Sequence, residues 1–357
     1  MEDLSVTTTV AIAGFIIGLV FGAIVIRTNF CTMGAISDMM SFGDWRRFRA
    51  WLLAAATAIV GAQAMQYAGM VDFTESIYLT SSFNWVGNIV GGLMFGFGMV
   101  LAGGCAGRNL ARVGSGDIRS FFVLVIVGVV AYMTLRGLIA IGRVEVEALV
   151  VTDLANAGIE SQGLGAIIAG LIGLEVATAH MIVLAVIVLA LLAFAFKDKA
   201  FRSSPVHIIS GLGVGLCVIA GWWATGVLGA DDFDPTPLAS LTFVAPTGNA
   251  LQYLMTFSGS TINFGIATVG GTILGSFLAA IAFRRFRVTT FADVPDTLRN
   301  LVGAVLMGVG GVVALGCTIG QAITGFSTLS LGSMLAFAGI VIGGIIGIKY
   351  MERALGI

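Results

Sequence analysis

The sequence predicts an all-α polytopic membrane protein, with about nine transmembrane helices plus half-length re-entrant helices in two inverted pseudo-symmetric halves. Three observations predict this fold class. Only 10% of the 357 residues are charged and 50 are glycine, whereas soluble domains average about 25% charged residues and about 7% glycine. Long stretches without any Asp, Glu, Lys or Arg recur along the chain. Finally, a glycine-rich segment that ends in cysteine occurs twice.

The composition also excludes several classes of function. A soluble enzyme is excluded by the shortage of charged residues, and a net charge of −1 without a basic face excludes nucleic-acid binding. Four cysteines are too few for a disulfide-stapled secreted module. The sequence contains no phosphate-binding or dinucleotide-binding glycine motif. The sequence has two histidines and no cluster of His and Cys at the spacing of metal ligands, so neither a metal site nor a cofactor is expected.

Segments without formal charge mark the membrane spans. A crossing helix needs about 20 mostly apolar residues, and the two longest uncharged stretches cover 49 residues each, so we expect two helices in each of them. Trp85, Trp222 and Trp223 are expected in the aromatic belts at the membrane interfaces. The uncharged stretches are residues 6–26, 50–71, 84–107, 120–135, 176–196, 205–230, 235–283 and 300–348.

Basic residues concentrate in alternate loops, which predicts the orientation in the membrane. Loops rich in Lys and Arg stay on the cytoplasmic side. This rule places the N-terminus outside and the C-terminus in the cytoplasm, in a plasma membrane. Arg136 and Arg143 break the alternation, so the topology of residues 136–175 stays open. The basic loops lie at residues 46–49, 108–119, 197–202, 284–299 and 349–353.

The repeated segments are residues 92–105 and 304–317. Three glycines match at the same offsets from the final cysteine, although helix packing through small residues alone can produce such spacing. The signs of the loop charges indicate that the two copies cross the membrane in opposite directions, as in transporters built from inverted repeats. We therefore expect two halves, residues 1–196 and 206–357, joined by a cytoplasmic linker at residues 197–205. The matched glycines are Gly96, Gly98 and Gly104 in one copy and Gly308, Gly310 and Gly316 in the other.

Three cysteines, Cys31, Cys105 and Cys317, each follow a long apolar stretch and precede a segment too short to span a membrane. The pattern predicts discontinuous helices, with each cysteine at the start of a half-helix. Irregular backbone at membrane depth is tolerated only where it faces protein or a water-filled cavity. We therefore expect the three cysteines to line a path. The short segments are residues 32–41, 106–113 and 318–326.

The start of a half-helix offers unpaired N–H groups and about half a positive charge, which attracts an anion without a buried Lys or Arg. A thiol is a soft, weak donor, so facing thiols favour a polarisable sulfur-bearing anion over a strongly hydrated one. A thiolate would repel the anion, and neutral thiols are therefore the expected binding form. Cys217 has no break after it and is expected to be a buried apolar residue. Supporting roles are assigned to Gly104, Gly316, Arg108 and Thr318, with an interfacial anchor as the alternative for Arg108.

These motifs resemble the YeeE/YedE family of bacterial inner-membrane sulfur-compound transporters. The resemblance covers almost the whole chain. It implies an α-helical fold of full-length and half-length helices and thiosulfate as the substrate, passed between thiols by transient S–H···S hydrogen bonds. By this resemblance the family's pore cysteines are Cys31, Cys105 and Cys317. The motifs that carry it are Gly103-Gly104-Cys105, its second copy Gly316-Cys317, and the segment 27–31, Arg-Thr-Asn-Phe-Cys.

The family also sets expectations about partners and leaves some points open. The expected partners are the small-molecule substrate, the lipid bilayer and a separate TusA-like sulfur-carrier protein. Leu315 departs from the usual Gly-Gly-Cys pattern, a change that could narrow the path. Some family members are linked to selenium metabolism, so the ion itself stays open, as do its coupling and the oligomeric state.

Two other functions compete with anion uptake. A membrane thiol–disulfide oxidoreductase would also use paired cysteines, but a reactive pair usually has the spacing C-x-x-C, which this sequence lacks. A channel for a small neutral solute is the second alternative.

Overall fold

The computed structural model describes residues 5–231 and 236–355; the extreme ends of the two expected halves, and residues 232–235 within the second, lie outside it. Nine helices in the described residues are long and apolar enough to cross a membrane. The chain is therefore an all-α polytopic membrane protein, and this part of the predicted fold is confirmed. The nine spans are Val6–Phe42, Arg46–Tyr67, Trp85–Gly114, Ile118–Arg136, Val176–Phe196, Pro205–Leu228, Phe264–Ala282, Val294–Val313 and Leu331–Ala354.

Some of these spans are interrupted, and others are accompanied by short elements. The α-helices are α1 (Val6–Thr28), α2 (Thr32–Phe42), α3 (Arg46–Tyr67), α4 (Trp85–Leu101), α5 (Ala106–Gly114), α6 (Ile118–Arg136), α7 (Leu138–Val150), α8 (Leu164–Ile172), α9 (Val176–Phe196), α10 (Lys199–Arg202), α11 (Pro205–Trp223), α12 (Val244–Met255), α13 (Phe264–Ala282), α14 (Val294–Val313) and α15 (Leu331–Leu355). The remaining elements are π-helices Ala224–Leu228 and Gly320–Gly325, 3₁₀ turns Phe73–Glu75, Leu154–Ala157 and Phe257–Gly259, and strands β1 (Ser82–Phe83) and β2 (Thr152–Asp153).

Three helices end at a residue with left-handed backbone and are followed at once by a short helix. The break between α1 and α2 has Asn29 at φ 56°, the break between α4 and α5 has Gly103 at φ 68°, and the break after α14 has Leu315 at φ 57°. A left-handed residue ends the helical hydrogen-bond ladder. Glycine adopts this backbone without strain and asparagine with little, whereas for leucine it costs about 1–2 kcal/mol. The chain then restarts as α2, as α5, and as a helical segment at residues 318–327 that contains a π-helix.

Close helix pairs form the interior of the bundle. Helix α1 packs along α13 and α4 along α15, while α3 packs along α11 and α6 along α14. A Cβ atom at Gly275 would overlap the Leu19 carbonyl of α1, and one at Gly96 would overlap the Ile340 carbonyl of α15. Glycine is therefore required where these backbones touch. Such close approach stabilises helix pairs by van der Waals packing, because apolar burial is a weak driving force in lipid.

Helices α7, α8 and α9 form a peripheral layer. Helix α9 packs on α3 and α8, but much of its surface faces outward, with Val186 61% and Leu189 67% exposed. Polar contacts tie α9 to α3: His180 Nε2 lies 2.7 Å from Gln63 Oε1, and Arg49 Nη1 donates to the carbonyls of Phe194 and Ala195. The antiparallel pair β1–β2 fastens the connection after α7 to the segment before α4. The three helix breaks thus lie in the remainder of the bundle.

Two expectations about single stretches are wrong. Residues 235–283 hold one full span, α13, preceded by the half-length α12, because the uncharged but polar run 258–261 follows α12 where a second crossing would continue. Trp222 is not an interface residue: it is 0% exposed and its indole N–H donates to Ser327 Oγ at 2.8 Å. Trp85 and Trp223 are exposed.

Candidate functional site

Each of the three predicted cysteines lies at the N-terminus of a short helix. Cys31 and Cys105 are the N-cap residues of α2 and α5. Cys31 Sγ accepts a hydrogen bond from the N–H of Gly34, and Cys317 Sγ accepts one from the N–H of Gly320, both at 3.5 Å. The first N–H groups of a helix have no partner within the helix. Each thiol therefore sits beside a donor-rich, partly positive helix end.

The three thiols belong to one buried cluster. Cys31 is 6% exposed, Cys105 3% and Cys317 0%, and all three are free thiols. Cys105 links the cluster, because its thiol lies near both other cysteines and near the Thr318 hydroxyl. Cys217 is also free and buried, but it lies inside the unbroken helix α11. The structure thus brings together the three cysteines that the sequence singled out and leaves Cys217 in a helix interior.

The two breaks in the repeated segments have the same hydrogen-bond pattern. The N–H of Gly104 donates to the Met99 carbonyl at 2.8 Å, and the N–H of Gly316 donates to the Gly311 carbonyl at 2.7 Å. In each case the residue after the left-handed one donates to a carbonyl five positions earlier in the chain. This is the Schellman pattern, which closes a helix C-terminus. Gly104 and Gly316 therefore close α4 and α14 directly before the cysteines.

A side-chain amide braces each of these breaks at the fourth residue after the cysteine. Asn109 Nδ2 donates to the Gly104 carbonyl at 2.9 Å, and Gln321 Nε2 donates to the Ala314 carbonyl. Asn109 is held in turn by Ser120 of α6, whose hydroxyl donates to Asn109 Oδ1 at 2.9 Å. Both amides follow their cysteine at the same offset, just beyond the ends of the two repeated segments, and this shared offset is a signal that sequence reasoning missed.

Arg108 lies where α1 ends and connects two breaks. Its guanidinium donates to the Val25 carbonyl at 3.1 Å and to Asn29 Oδ1 at 3.0 Å. The last carbonyls of a helix lack helical partners, so Arg108 caps α1 two residues before Cys31. It also lies near the Cys31 and Cys105 thiols. Arg108 is thus an anchor for the break and a positive charge beside two of the thiols.

Residues from distant parts of the chain complete the surroundings of Cys317. Thr242 Oγ1 lies 3.9 Å from Cys317 Sγ. Tyr78, from the loop between α3 and α4, is 4% exposed and lies near Cys317. Burial, with a smaller contribution from the nearby Cys317 thiol, raises the pKa of Tyr78 above its ordinary value, so the phenol stays protonated. No motif pointed to Thr242 or Tyr78, because folding alone brings them to Cys317.

Several buried polar atoms at the breaks lack ordinary hydrogen-bond partners among the described residues. Thr32 Oγ1 and Thr318 Oγ1, each directly after a cysteine, are two of them, and Gln321 Oε1 is a third. Buried polar groups are normally paired, and Thr318 faces only the weakly accepting Cys105 sulfur. These atoms provide free hydrogen-bonding capacity for a polar occupant next to Cys105 and Cys317.

Leu315 occupies the position equivalent to Gly103, but it does not line the buried cluster. Its side chain is 42% exposed. The expectation that Leu315 narrows the path therefore has no support in its position. Among the described residues, no three His, Cys, Asp or Glu side chains come together in a way that could hold a metal ion.

A multi-pass helical bundle with interrupted helices, whose breaks meet in a buried polar cluster, has the architecture of a membrane transporter. Residues 27–346 match the family model described as sulphur transport. The chain belongs to this family, which is the YeeE/YedE family indicated by the sequence motifs. The protein is accordingly a transporter of the sulphur-transport class and not an enzyme.

Three relatives show the extent of the similarity. The chain is 31% identical over 322 residues to the thiosulfate transporter TsuA of Escherichia coli K12, covering 87% of this chain and 86% of that protein. It is 28% identical over 337 residues to the thiosulfate transporter TsuA of Spirochaeta thermophila, covering 92% and 96%. The probable transporter YedE of Salmonella typhimurium is 31% identical over 108 residues, which cover 30% of this chain and 25% of that protein.

Proposed function

We propose that this protein takes up thiosulfate, or a similar small sulfur-containing anion, into the cytoplasm through a path lined by neutral cysteine thiols. The observation that carries the proposal is the cluster of Cys31, Cys105 and Cys317, each at the N-terminus of a short helix. The names of the two full-length relatives support thiosulfate as the substrate.

The chemistry of the cluster suits a soft anion. Helix N-termini stabilise negative charge without a buried cation, and a neutral thiol donates a weak hydrogen bond to a polarisable sulfur atom. A strongly hydrated anion such as sulfate loses more on leaving water, and three thiols offer it less in return. The unpaired hydroxyls of Thr32 and Thr318 supply harder donors for the oxygen atoms of thiosulfate.

We also propose that the chain consists of two inverted halves, residues 1–196 and 206–357, with the linker 197–205 between them. Helix packing supports this arrangement. If α1 and α3 of the first half correspond to α11 and α13 of the second, the packed pair α1–α13 has the packed pair α11–α3 as its counterpart. If α4 and α6 correspond to α14 and α15, the pair α4–α15 has the pair α14–α6 as its counterpart. The matching amides at Asn109 and Gln321 support the same relation.

The orientation and the partner belong to the proposal as well. We place the basic ends of the helices in the cytoplasm of a bacterial inner membrane, with the N-terminus outside and the C-terminus inside, because basic loops stay cytoplasmic. A separate TusA-like sulfur-carrier protein as cytoplasmic partner rests on the family resemblance. Co-purification of the two proteins from solubilised membranes would test it.

Uptake into proteoliposomes that contain the purified protein tests the transport function. We expect thiosulfate to enter at least tenfold faster than sulfate. Cys105→Ala and Cys317→Ala should each lose most of this uptake, while Cys217→Ala, which removes an equally buried thiol from α11, should retain it. Parent-like uptake by both cysteine variants would contradict the cysteine path. Selenite and sulfite, measured in parallel, decide how narrow the substrate range is.

The same preparation separates the two competing functions. A reversible disulfide between Cys105 and Cys317, formed by oxidant and released by reductant, would favour the thiol–disulfide oxidoreductase. Osmotic swelling in a neutral solute without anion uptake would favour the channel. Thiosulfate uptake with permanently free thiols supports the proposal.

A further inference from the structure

A basic pocket lies beyond the cysteine cluster, at the end of the bundle where α1 stops and α6 begins. Its volume is about 350 Å³, large enough for a hydrated anion of the size of sulfate or thiosulfate. Five arginines and one carboxylate line it, together with smaller polar residues. The charged residues are Arg108, Arg112, Asp117, Arg119, Arg285 and Arg287.

The pocket carries an excess of positive charge. Asp117 forms ion pairs with Arg112 at 3.9 Å and with Arg119 at 3.6 Å. The other three arginines, Arg108, Arg285 and Arg287, have no carboxylate partner within 4.0 Å among the described residues. Like charges gathered in one pocket repel each other, so binding a small anion, which offsets part of the charge of the three unpaired guanidinium groups, is favourable.

Backbone carbonyls hold two of these arginines in place. Arg285 Nη1 donates to the Ile26 carbonyl at 2.9 Å, and Arg108 Nη1 donates to the Val25 carbonyl at 3.1 Å. Each guanidinium has five N–H donors, so most of the donors remain for a ligand. Fixed guanidinium groups match the geometry of an oxyanion. Arg287 makes no side-chain hydrogen bond or ion pair with another described residue and is free to close on the occupant.

The pocket adjoins the cysteines through Arg108. Arg108 lines the pocket and also lies near the Cys31 and Cys105 thiols. Its partner Asn29 also lines the pocket and lies two residues before Cys31. Arg108, held by Asn29, therefore places guanidinium donors next to the thiols, where an anion released on this side would meet them.

We propose that this pocket is a second anion site, which binds tetrahedral oxyanions through arginine and through which cytosolic oxyanions slow the release of the transported anion. The inference rests on the proposed function for its direction of transport. Guanidinium groups bind oxygen and do not require sulfur in the ligand. The pocket accordingly binds sulfate and phosphate as well as thiosulfate, although the cysteine path rejects sulfate.

The proposal is tested by measuring thiosulfate uptake into vesicles that already contain a second anion inside. Right-side-out vesicles are filled with chloride, sulfate, phosphate or thiosulfate at equal ionic strength, and the initial thiosulfate uptake of each variant is expressed relative to its own chloride-loaded vesicles. We expect internal sulfate and phosphate to slow the parent several-fold. In Arg287→Gln the internal sulfate concentration that halves uptake should rise about tenfold. Arg284→Gln, which removes a charge from the same loop outside the pocket, should behave as the parent does.

Equal inhibition of the parent and Arg287→Gln would overturn the proposal, as would a parent that internal sulfate and phosphate leave unaffected. Inhibition by internal thiosulfate alone would overturn the oxyanion site, because it would require recognition of sulfur. Equilibrium dialysis of the purified protein with radiolabelled sulfate keeps the test independent of transport. We expect Arg287→Gln to weaken sulfate binding about tenfold and Arg284→Gln to leave it unchanged. This result would support the pocket even if thiosulfate uptake itself were absent. Unchanged sulfate binding in Arg287→Gln would overturn it.

Discussion

The side-chain amide of Asn109 donates a hydrogen bond of 2.9 Å to the carbonyl of Gly104, the residue directly before Cys105. This single bond ties the first turn of α5 to the end of the chain segment that leaves α4. The Cys105 thiol is positioned between them. Because Asn109 is itself held by Ser120, the position of the thiol depends on three consecutive helices of the bundle.

Asn109→Ala should therefore displace the Cys105 thiol. The substitution leaves the buried Gly104 carbonyl without its partner, which typically costs about 1–3 kcal/mol. We expect a lower unfolding temperature, reduced thiosulfate uptake and faster maleimide labelling of Cys105. Labelling of Cys217 serves as the internal control and should not change. If Cys105 reacted at the parent rate while stability fell, Asn109 would have only a structural role.

Tyr78→Phe should extend stability to higher pH. The pKa of Tyr78 is raised by burial and by the nearby Cys317 thiol, whereas an exposed tyrosine in the unfolded chain titrates near pH 10. Above about pH 10 the unfolded state loses this proton and the folded state keeps it, so the native protein loses stability as pH rises. Unfolding temperatures measured from pH 8 to pH 12 should fall more steeply for the parent than for Tyr78→Phe. Parallel curves would show that Tyr78 is solvated in the native protein.

The ion pair in the turn between α2 and α3 should keep Asp44 ionised down to strongly acidic pH. Arg46 donates to Asp44 through Nε at 3.0 Å and Nη2 at 2.6 Å, and this contact lowers the pKa of Asp44 to about 2. The stabilisation is complete above the unfolded pKa of about 3.9 and is lost as pH falls towards 2. Carboxyl carbon shifts in NMR should show the low pKa in the parent and a value near 4 in Arg46→Ala. Arg47→Ala, whose arginine pairs with Asp38 instead, should retain the low value.

Two glycines of α13 should respond differently to the same substitution. A Cβ atom at Gly275 would overlap the Leu19 backbone, whereas a Cβ at Gly270 would meet only Phe15 Cε2, at 3.9 Å. Gly275→Ala should therefore destabilise the α1–α13 pair by about 1–3 kcal/mol. Gly270→Ala should be neutral or slightly stabilising, because alanine is the better helix former. Thermal unfolding of the two purified variants in one detergent makes the comparison, and similar losses in both would contradict close packing at Gly275.

The sequence predicted the spans and the positions of the breaks because both depend on local features. Absence of charge marks the spans, and short segments after Cys31, Cys105 and Cys317 mark the breaks. Local features fail where helix length or burial depends on distant partners. The half-length α12 contains no charge that would distinguish it from a full span, and Trp222 packs against Phe73 and Tyr78, which lie far from it in the sequence.

The surroundings of the candidate site show the same division. Asn109 and Gln321 follow their cysteines at equal offsets, so comparison of the two repeats would have identified them. Thr242 and Tyr78 lie far from Cys317 in the sequence and approach it only in the folded chain. Their contact with Cys317 depends on the paths of two long connections, for which the sequence contains no periodic signal.

The scarcity of buried carboxylates among the described residues has an energetic consequence. Among the described residues Asp117 is the one buried carboxylate, and two arginines already neutralise it. A divalent anion on the proposed path thus travels with its full charge. Against an interior-negative potential of about 100 mV, each charge costs about 2.3 kcal/mol, so two charges oppose entry by a factor of roughly 2,000. Sustained import therefore requires rapid chemical consumption inside the cell or cations that accompany each anion, and collapsing the voltage should accelerate entry.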